Sequence, residues 1–261
     1  MSLRWSRKVA QSQLQSAEPS ITRTSSNSSY RRRNSQSERR RTPLCPGRTI
    51  IRVSEPTSPE AVAAWVEAAQ RARDPFERVR LASDEHRGHH GQGCSVYPTS
   101  SGPLLSVLAA ATKAERILEL GCGLGYSALC LAHDNHGLVE TIERDPDHVP
   151  LAEKEIEREG YSDRIRVLPG SGSDVLPGLE GHYDLVFSDG DPEEMPLDLH
   201  HFLRLLRPGG VLVSANLFLA QFVPDLTGIP QMAEYRRRIL EEDRLLTAMI
   251  PGGLALSVVQ K

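Results

Sequence analysis

The chain has 261 residues, 39% of them hydrophobic and 25% charged, with a net charge of −3. That length suits one large domain better than two, and no apolar run approaches the roughly 20 residues that span a bilayer, which excludes a membrane-spanning protein. Charge is uneven: residues 1–48 carry 11 Lys and Arg against 2 acids and the remainder 20 against 32, and an acidic body argues against nucleic acid as a partner.

Taken from the N-terminus, residues 1–48 form an Arg- and Ser-rich segment holding Arg31, Arg32, Arg33, Arg39, Arg40 and Arg41. Such a composition predicts a solvated, disordered tail. An organelle transit peptide and a misassigned start, with Met195 the next methionine, are the other readings left open. Cys45, Cys94, Cys122 and Cys130 show no CxxC pairing, so reduced thiols and a cytoplasmic location are expected.

Order is expected from Thr49, where Ile50, Ile51 and Val53 give the first apolar cluster, so that residues 49–261 form the folded domain. Ser58-Pro59-Glu60 offers an N-cap, a proline at the first helical position and an early acid, and opens an amphipathic helix through Trp65 to about Arg73. From Ala82 to Gly102 the chain is polar and glycine-rich and reads as a loop or lid. His86, His89, His90 and Cys94 fall there with irregular spacing and no second ligand group, so they are expected to be incidental rather than a metal site. A helix is predicted from about Pro103 to Lys113.

Beyond Arg116, short apolar runs alternate with helical patterns, as in βαβ units. Strands are predicted at Arg116 to Leu120, Leu138 to Ile142, Ile165 to Leu168, Tyr183 to Ser188 and Gly210 to Ala215. Between them lie helices at Tyr126 to His133, Asp147 to Glu159, a short one near Asp174, and Leu197 to Leu206, with a turn at Gly209-Gly210. A helix from Gln231 to Glu242 precedes Leu245 to Ile250 and Leu254 to Gln260, joined by Pro251-Gly252-Gly253 as an antiparallel hairpin at the sheet edge. The expected fold is therefore α/β: a doubly wound, Rossmann-like, mostly parallel sheet of seven strands with a C-terminal antiparallel hairpin.

The strongest chemical signal is Ile117-Leu118-Glu119-Leu120-Gly121-Cys122-Gly123-Leu124-Gly125-Tyr126-Ser127, an apolar strand running through glycines into a helix. Glycine permits a sharp turn and close approach of backbone to a ligand, and the helix start presents free N–H donors. Glu143 ends the next strand about 20 residues on, the spacing at which a carboxylate meets ribose hydroxyls in doubly wound folds. Tyr126 stands where a dinucleotide fingerprint has its last glycine, which argues against NAD.

This pattern, with Glu119 before it and Tyr126-Ser127 after it, resembles motif I of class I S-adenosylmethionine-dependent methyltransferases. It is similar above all to the small-molecule O-methyltransferases of the catechol and caffeoyl-CoA type. Thr141-Ile142-Glu143-Arg144-Asp145-Pro146 resembles the family's second-strand motif, and Gly170-Ser171-Gly172-Ser173 with Asp174 and Pro177 its loop beside the adenine. Tyr183 to Asp189 resembles its fourth strand, and Leu205 to Gly210 its approach to the fifth. The resemblance implies S-adenosylmethionine as cofactor, held by Glu119, Gly121, Gly123, Gly125, Tyr126, Ser127, Glu143, Gly172, Ser173 and Asp189. It also implies a small hydroxylated acceptor, and a homodimer formed through the helix around Trp65 and the segment 233–244.

The catalytic pattern departs from the family's metal-dependent members. Those hold a divalent ion with the acid after strand four and an Asp-Asn pair after strand five, whereas here Asp189 is followed by Ala215-Asn216. Asp189 and Asn216 remain as candidate ligands for Mg²⁺, one carboxylate short. Pro192 stands where the family places a candidate basic lysine, and Asp191, Glu193 and Glu194 are nearby. The expected catalytic residues are Asp189, Asn216 and Asp191. His182, His200 and His201 are expected at surface or packing positions. The rival expectation, carried by Ala215 and Pro192, is an inactive protein that binds the cofactor without transferring from it.

Overall fold

A computed structural model of the protein describes residues 56–90, 94, 96–99, 101–218 and 228–261. The predicted tail, Cys45 and the apolar cluster at Ile50, Ile51 and Val53 lie outside them. The chain divides into two units after Arg73. In the first unit, helix α1 (Pro59–Arg71) is capped as expected: Ser58 Oγ accepts from the Ala61 N–H at 3.2 Å, and a proline occupies the first turn.

The second unit runs α2 (Glu77–His90), α3 (Gly102–Thr112), β1 (Arg116–Leu120), α4 (Tyr126–Ala132), β2 (Leu138–Glu143), α5 (His148–Arg158) and β3 (Ile165–Pro169). It continues with α6 (Gly172–Val175), a 3₁₀ turn (Leu176–Gly178), β4 (Tyr183–Ser188), α7 (Met195–Leu205), β5 (Leu206–Ser214), α8 (Ile229–Glu241), β6 (Leu245–Ile250) and β7 (Leu254–Val259). The strands form one seven-stranded sheet in the order β3-β2-β1-β4-β5-β7-β6. All pairs from β3 to β5 are parallel, and β7 joins β5 and β6 antiparallel. Two apolar cores follow from side-chain alternation along the strands: Ile117 faces one core with Phe76, Val79 and Leu129, and Leu118 faces the other with Leu199, Phe202 and Tyr235. Among the described residues no helix is long and apolar enough to cross a membrane.

Two expectations are corrected. The polar stretch predicted as loop from Ala82 is helix as far as His90. Only a narrow stripe of α2 is buried, through Val79, Arg80 and Ser83, so its sequence lacks a broad apolar face. Arg80 compensates by pairing along the helix with Glu77 (2.6 Å) and Asp84 (2.7 Å). The Gly209-Gly210 turn lies inside β5, where Leu206 pairs with Tyr183 and Val211 with Leu185, so the intervening residues form a bulge rather than a break.

Candidate functional site

Consecutive strands lie side by side from β1 through β3, after which the chain crosses back to place β4 on the other side of β1. The carboxyl ends of β1 and β4 therefore border the crevice where open α/β sheets bind ligands. The glycine loop leaves β1 at this point. Gly121 (φ 97°) donates to Ile142 O at 3.0 Å, and the Asp189 N–H donates to Leu120 O at 2.9 Å, so the loop is clamped between β2 and β4. A side chain at Gly121 would place its Cβ 2.3 Å from the main-chain oxygen of Asp189.

Glu143, at the end of β2, is buried and reaches back to that loop. One carboxylate oxygen accepts from the Gly123 N–H at 2.7 Å and the other from the Asp145 N–H at 2.9 Å. Loop and acid, linked in the sequence only by spacing, thus meet.

Glu119 is fully buried on β1, directly across from Thr141 on β2, whose hydroxyl donates to it at 2.5 Å. Among the described residues its other oxygen has no partner at hydrogen-bonding geometry. Burial pushes this carboxyl up to about 7, against the Ser127 and Thr141 hydroxyls that favour its charged form. At the end of β4, Asp189 is likewise held well above its usual range, first by burial and then by the negative charge of Glu119, while the Asn216 amide opposes. Asn216 has φ 56° and donates its side-chain N–H to Asp189, which joins the ends of β4 and β5.

Asp191, two residues beyond Asp189, has other partners. Its carboxylate binds the Arg144 guanidinium and accepts from the Glu193 N–H at 2.9 Å. Tyr126 is buried, and its hydroxyl donates to Asp74. Ser171 caps α6 by accepting from the Asp174 N–H at 3.2 Å and bonds Ser173 at 2.8 Å. His200 is exposed, with its ring on Leu197 O, and His201 lies beside it, as expected.

Three features were missed. Asp198 on α7 is buried with an unpartnered oxygen, 3.0 Å from where a Cβ on Gly172 would lie, and burial followed by Glu194 and Asp191 pushes it up to about 7. Its signal was an acid within the apolar stripe of Met195, Leu199, Phe202 and Leu205. Thr141 was signalled by its place two residues before Glu143, on the same face. His148 carried no signal, because its neighbours come from distant segments.

The residues present fit a cationic, nucleoside-bearing cofactor. A buried carboxyl with an open oxygen at the glycine loop gains a counter-charge from a bound cation, and Glu143 offers acceptor oxygens for hydroxyls. They fit Mg²⁺ poorly. Asp189 and Asn216 are bonded to each other and Ala215 adds no oxygen, whereas a hard ion requires several.

Glu119, Asp189 and Asp198 contribute the raised carboxyls to the pH response. Each holds its proton more tightly folded than unfolded, so the stabilisation is full below about pH 4 and is lost as pH rises towards and beyond 7. The melting temperature of the cofactor-free protein should fall by several degrees between pH 5.5 and pH 8, measured by calorimetry, and Glu119→Gln should flatten the profile. A flat wild-type profile would contradict this assignment.

Comparison with known proteins places these features in a family. The O-methyltransferase family profile matches residues 86–261. A protein named "Putative O-methyltransferase" from Mycobacterium sp. (strain JLS) is 34% identical over 177 residues, covering 65% of this chain and 80% of that protein. Among solved structures, cofactor-bound Rv0187 from MTB shares 27% identity with a TM-score of 0.66 and covers 78% of this chain and 99% of its own. The O-methyltransferase TomG from Streptomyces achromogenes, involved in tomaymycin synthesis and solved in complex with SAM, shares 26% identity with a TM-score of 0.58, over 70% of this chain and 89% of its own. With the profile spanning well over half its length, the chain belongs to the O-methyltransferase family.

Proposed function

We propose that this protein transfers a methyl group from S-adenosylmethionine to a hydroxyl of a small molecule, using the crevice between β1 and β4. The observation that carries the reading is the glycine loop clamped between Ile142 and Asp189, with Glu143 bonded into it. The bound cofactor supplies a methyl group activated on a sulfonium. Gly121, Gly123 and Gly125 let the backbone approach it, Glu143 takes its ribose hydroxyls, and Glu119 offers it negative charge. Ser127, Gly172 and Ser173 complete the cofactor-binding set, with Tyr126 contributing its backbone.

Asp189 and Asn216 hold the acceptor oxygen, and Asp189, ionised once the cationic cofactor sits beside it, takes its proton. A carboxylate held above its usual range is a better match for a weakly acidic hydroxyl than an ordinary one. Asp191, occupied by Arg144, orders the β4–α7 loop rather than meeting the acceptor. Residues 49–261 constitute the methyltransferase domain, preceded by a tail, and buried free cysteines with an acidic body support a cytoplasmic enzyme that does not act on nucleic acid.

The test is transfer to a broad panel of phenols and other hydroxylated molecules. Asp189→Asn should lower kcat by about 100-fold, the usual scale for a lost proton acceptor, while S-adenosylhomocysteine affinity changes only a few-fold. Added Mg²⁺ should change neither quantity. Binding without transfer to any acceptor would favour the inactive cofactor-binding protein, and strict Mg²⁺ dependence would overturn the metal-free assignment.

A further inference from the structure

A second cluster lies outside the crevice. His86 on α2, Cys94, and His148 in the first turn of α5 bring three ligand atoms within 4.8 Å of one another. His86 Nε2 is 3.3 Å from His148 Nε2, and Cys94 Sγ is 3.9 Å from His148 Nε2. Both Cys94 and His148 are buried. Two nitrogens bound at 2.0–2.1 Å by a tetrahedral ion lie about 3.3 Å apart, and a sulfur at 2.3 Å lies roughly 3.6 Å from such a nitrogen. The two edges to His148 Nε2 lie close to those values, the sulfur a few tenths long, and the His86 Nε2–Cys94 Sγ edge is within 4.8 Å.

The other face of His148 supplies independent support. Among the described residues its buried Nδ1 has no hydrogen-bond partner and lies 3.7 Å from Glu143 Oε1 and 3.6 Å from Asp145 Oδ2. A metal-binding histidine commonly directs its second nitrogen to a carboxylate, which fixes the tautomer and strengthens the ligand. Here Nε2 turns to a thiol and an imidazole, while Nδ1 turns to two carboxylates. A simple His–His hydrogen bond would account for the 3.3 Å separation, but it gives no role to Cys94.

We propose that His86 Nε2, Cys94 Sγ and His148 Nε2 form a binding site for one zinc-class divalent cation, with water in the fourth position. A sulfur and two imidazoles select zinc and its transition-metal neighbours over Mg²⁺ or Ca²⁺. On binding, the Cys94 thiol gives its proton to solvent and the metal–sulfur bond forms without a change of oxidation state. The cation ties His86 on α2 and Cys94 to the start of α5, and draws the His148 Nδ1–H towards Glu143. This site is independent of the methyl-transfer reading, and its test does not measure transfer.

The full chain, stripped with chelator, is titrated with Co²⁺ and then Zn²⁺. Expected are one Co²⁺ per chain, a thiolate-to-cobalt charge-transfer band, the intense visible bands of tetrahedral cobalt, and displacement of both by Zn²⁺. Cys94→Ser should remove the charge-transfer band, and His86→Ala should weaken binding beyond the ~100-fold at the top of the range for lost outer-shell partners. Cys45→Ser, the control for a thiol in the tail, should leave both unchanged. Zn²⁺ should raise the melting temperature of the wild type and of Cys45→Ser, and not that of the half-exposed His86→Ala variant, which separates metal loss from misfolding. A wild-type chain without stoichiometric binding, or a thiolate band surviving Cys94→Ser, would overturn the proposal.

Discussion

Glu143→Ala should weaken S-adenosylhomocysteine binding by about 100-fold in calorimetric titration of the full chain. Hydrogen bonds to a charged group contribute roughly 1.5–3 kcal/mol each, so, on the proposed reading in which Glu143 takes two ribose hydroxyls, losing its carboxylate costs about 3 kcal/mol. The same substitution releases the Gly123 and Asp145 N–H groups, which loosens the glycine loop and adds to the loss. Glu143→Gln keeps the shape and one acceptor oxygen without the charge, and should cost about 10-fold. Unchanged affinity in the alanine variant would remove Glu143 from the cofactor site. An intact wild-type melting transition with no binding at all would remove the cofactor reading itself.

Gly121→Ala should lower stability by about 3–4 kcal/mol and abolish cofactor binding, with the melting temperature down by about 10 °C. Two effects combine at this position. A φ of 97° disfavours any side chain, at a cost of roughly 1–2 kcal/mol, and the new Cβ would sit 2.3 Å from the Asp189 carbonyl oxygen. Neither strand end is free to yield, because the Asp189 N–H is bonded to Leu120 O and the Gly121 N–H to Ile142 O. Gly160→Ala separates the two effects. Gly160 has φ 79° with nothing within 4 Å of an added Cβ, so only the backbone cost of about 1 kcal/mol remains. Equal losses at the two positions would show that the contact with Asp189 contributes nothing.

Much of this site was legible because its parts sit at strand ends. A strand shows as an apolar run, and the residue after it falls at the carboxyl edge of a parallel sheet. Gly121 and Glu143 were picked out as candidates in that way, and the resemblance to the methyltransferase motifs added Glu119, Asp189 and Asn216. Their partners were harder to see. Tyr126 resembled a cofactor residue by its place after the glycines, yet its hydroxyl is held by Asp74, 52 residues away. Asp191 resembled a base in an acidic run, and Arg144, 47 residues away, takes its carboxylate. Helix α2 was hidden by its polarity, since its narrow buried stripe leaves little periodic signal and its ion pairs supply the rest.

By itself the sequence determined the doubly wound architecture, the glycine loop with its acid and the antiparallel hairpin. These depend on local periodicity, on glycine's backbone freedom and on residue identity, all carried by short stretches of chain. Only the tertiary structure decided that Glu119 and Asp198 are buried with open oxygens, that Asp189 pairs with Asn216 while Asp191 pairs with Arg144, and that His86, Cys94 and His148 converge. Each of those is set by segments far apart in sequence that packing brings within a few ångströms, where burial removes water and makes every unpaired polar atom count.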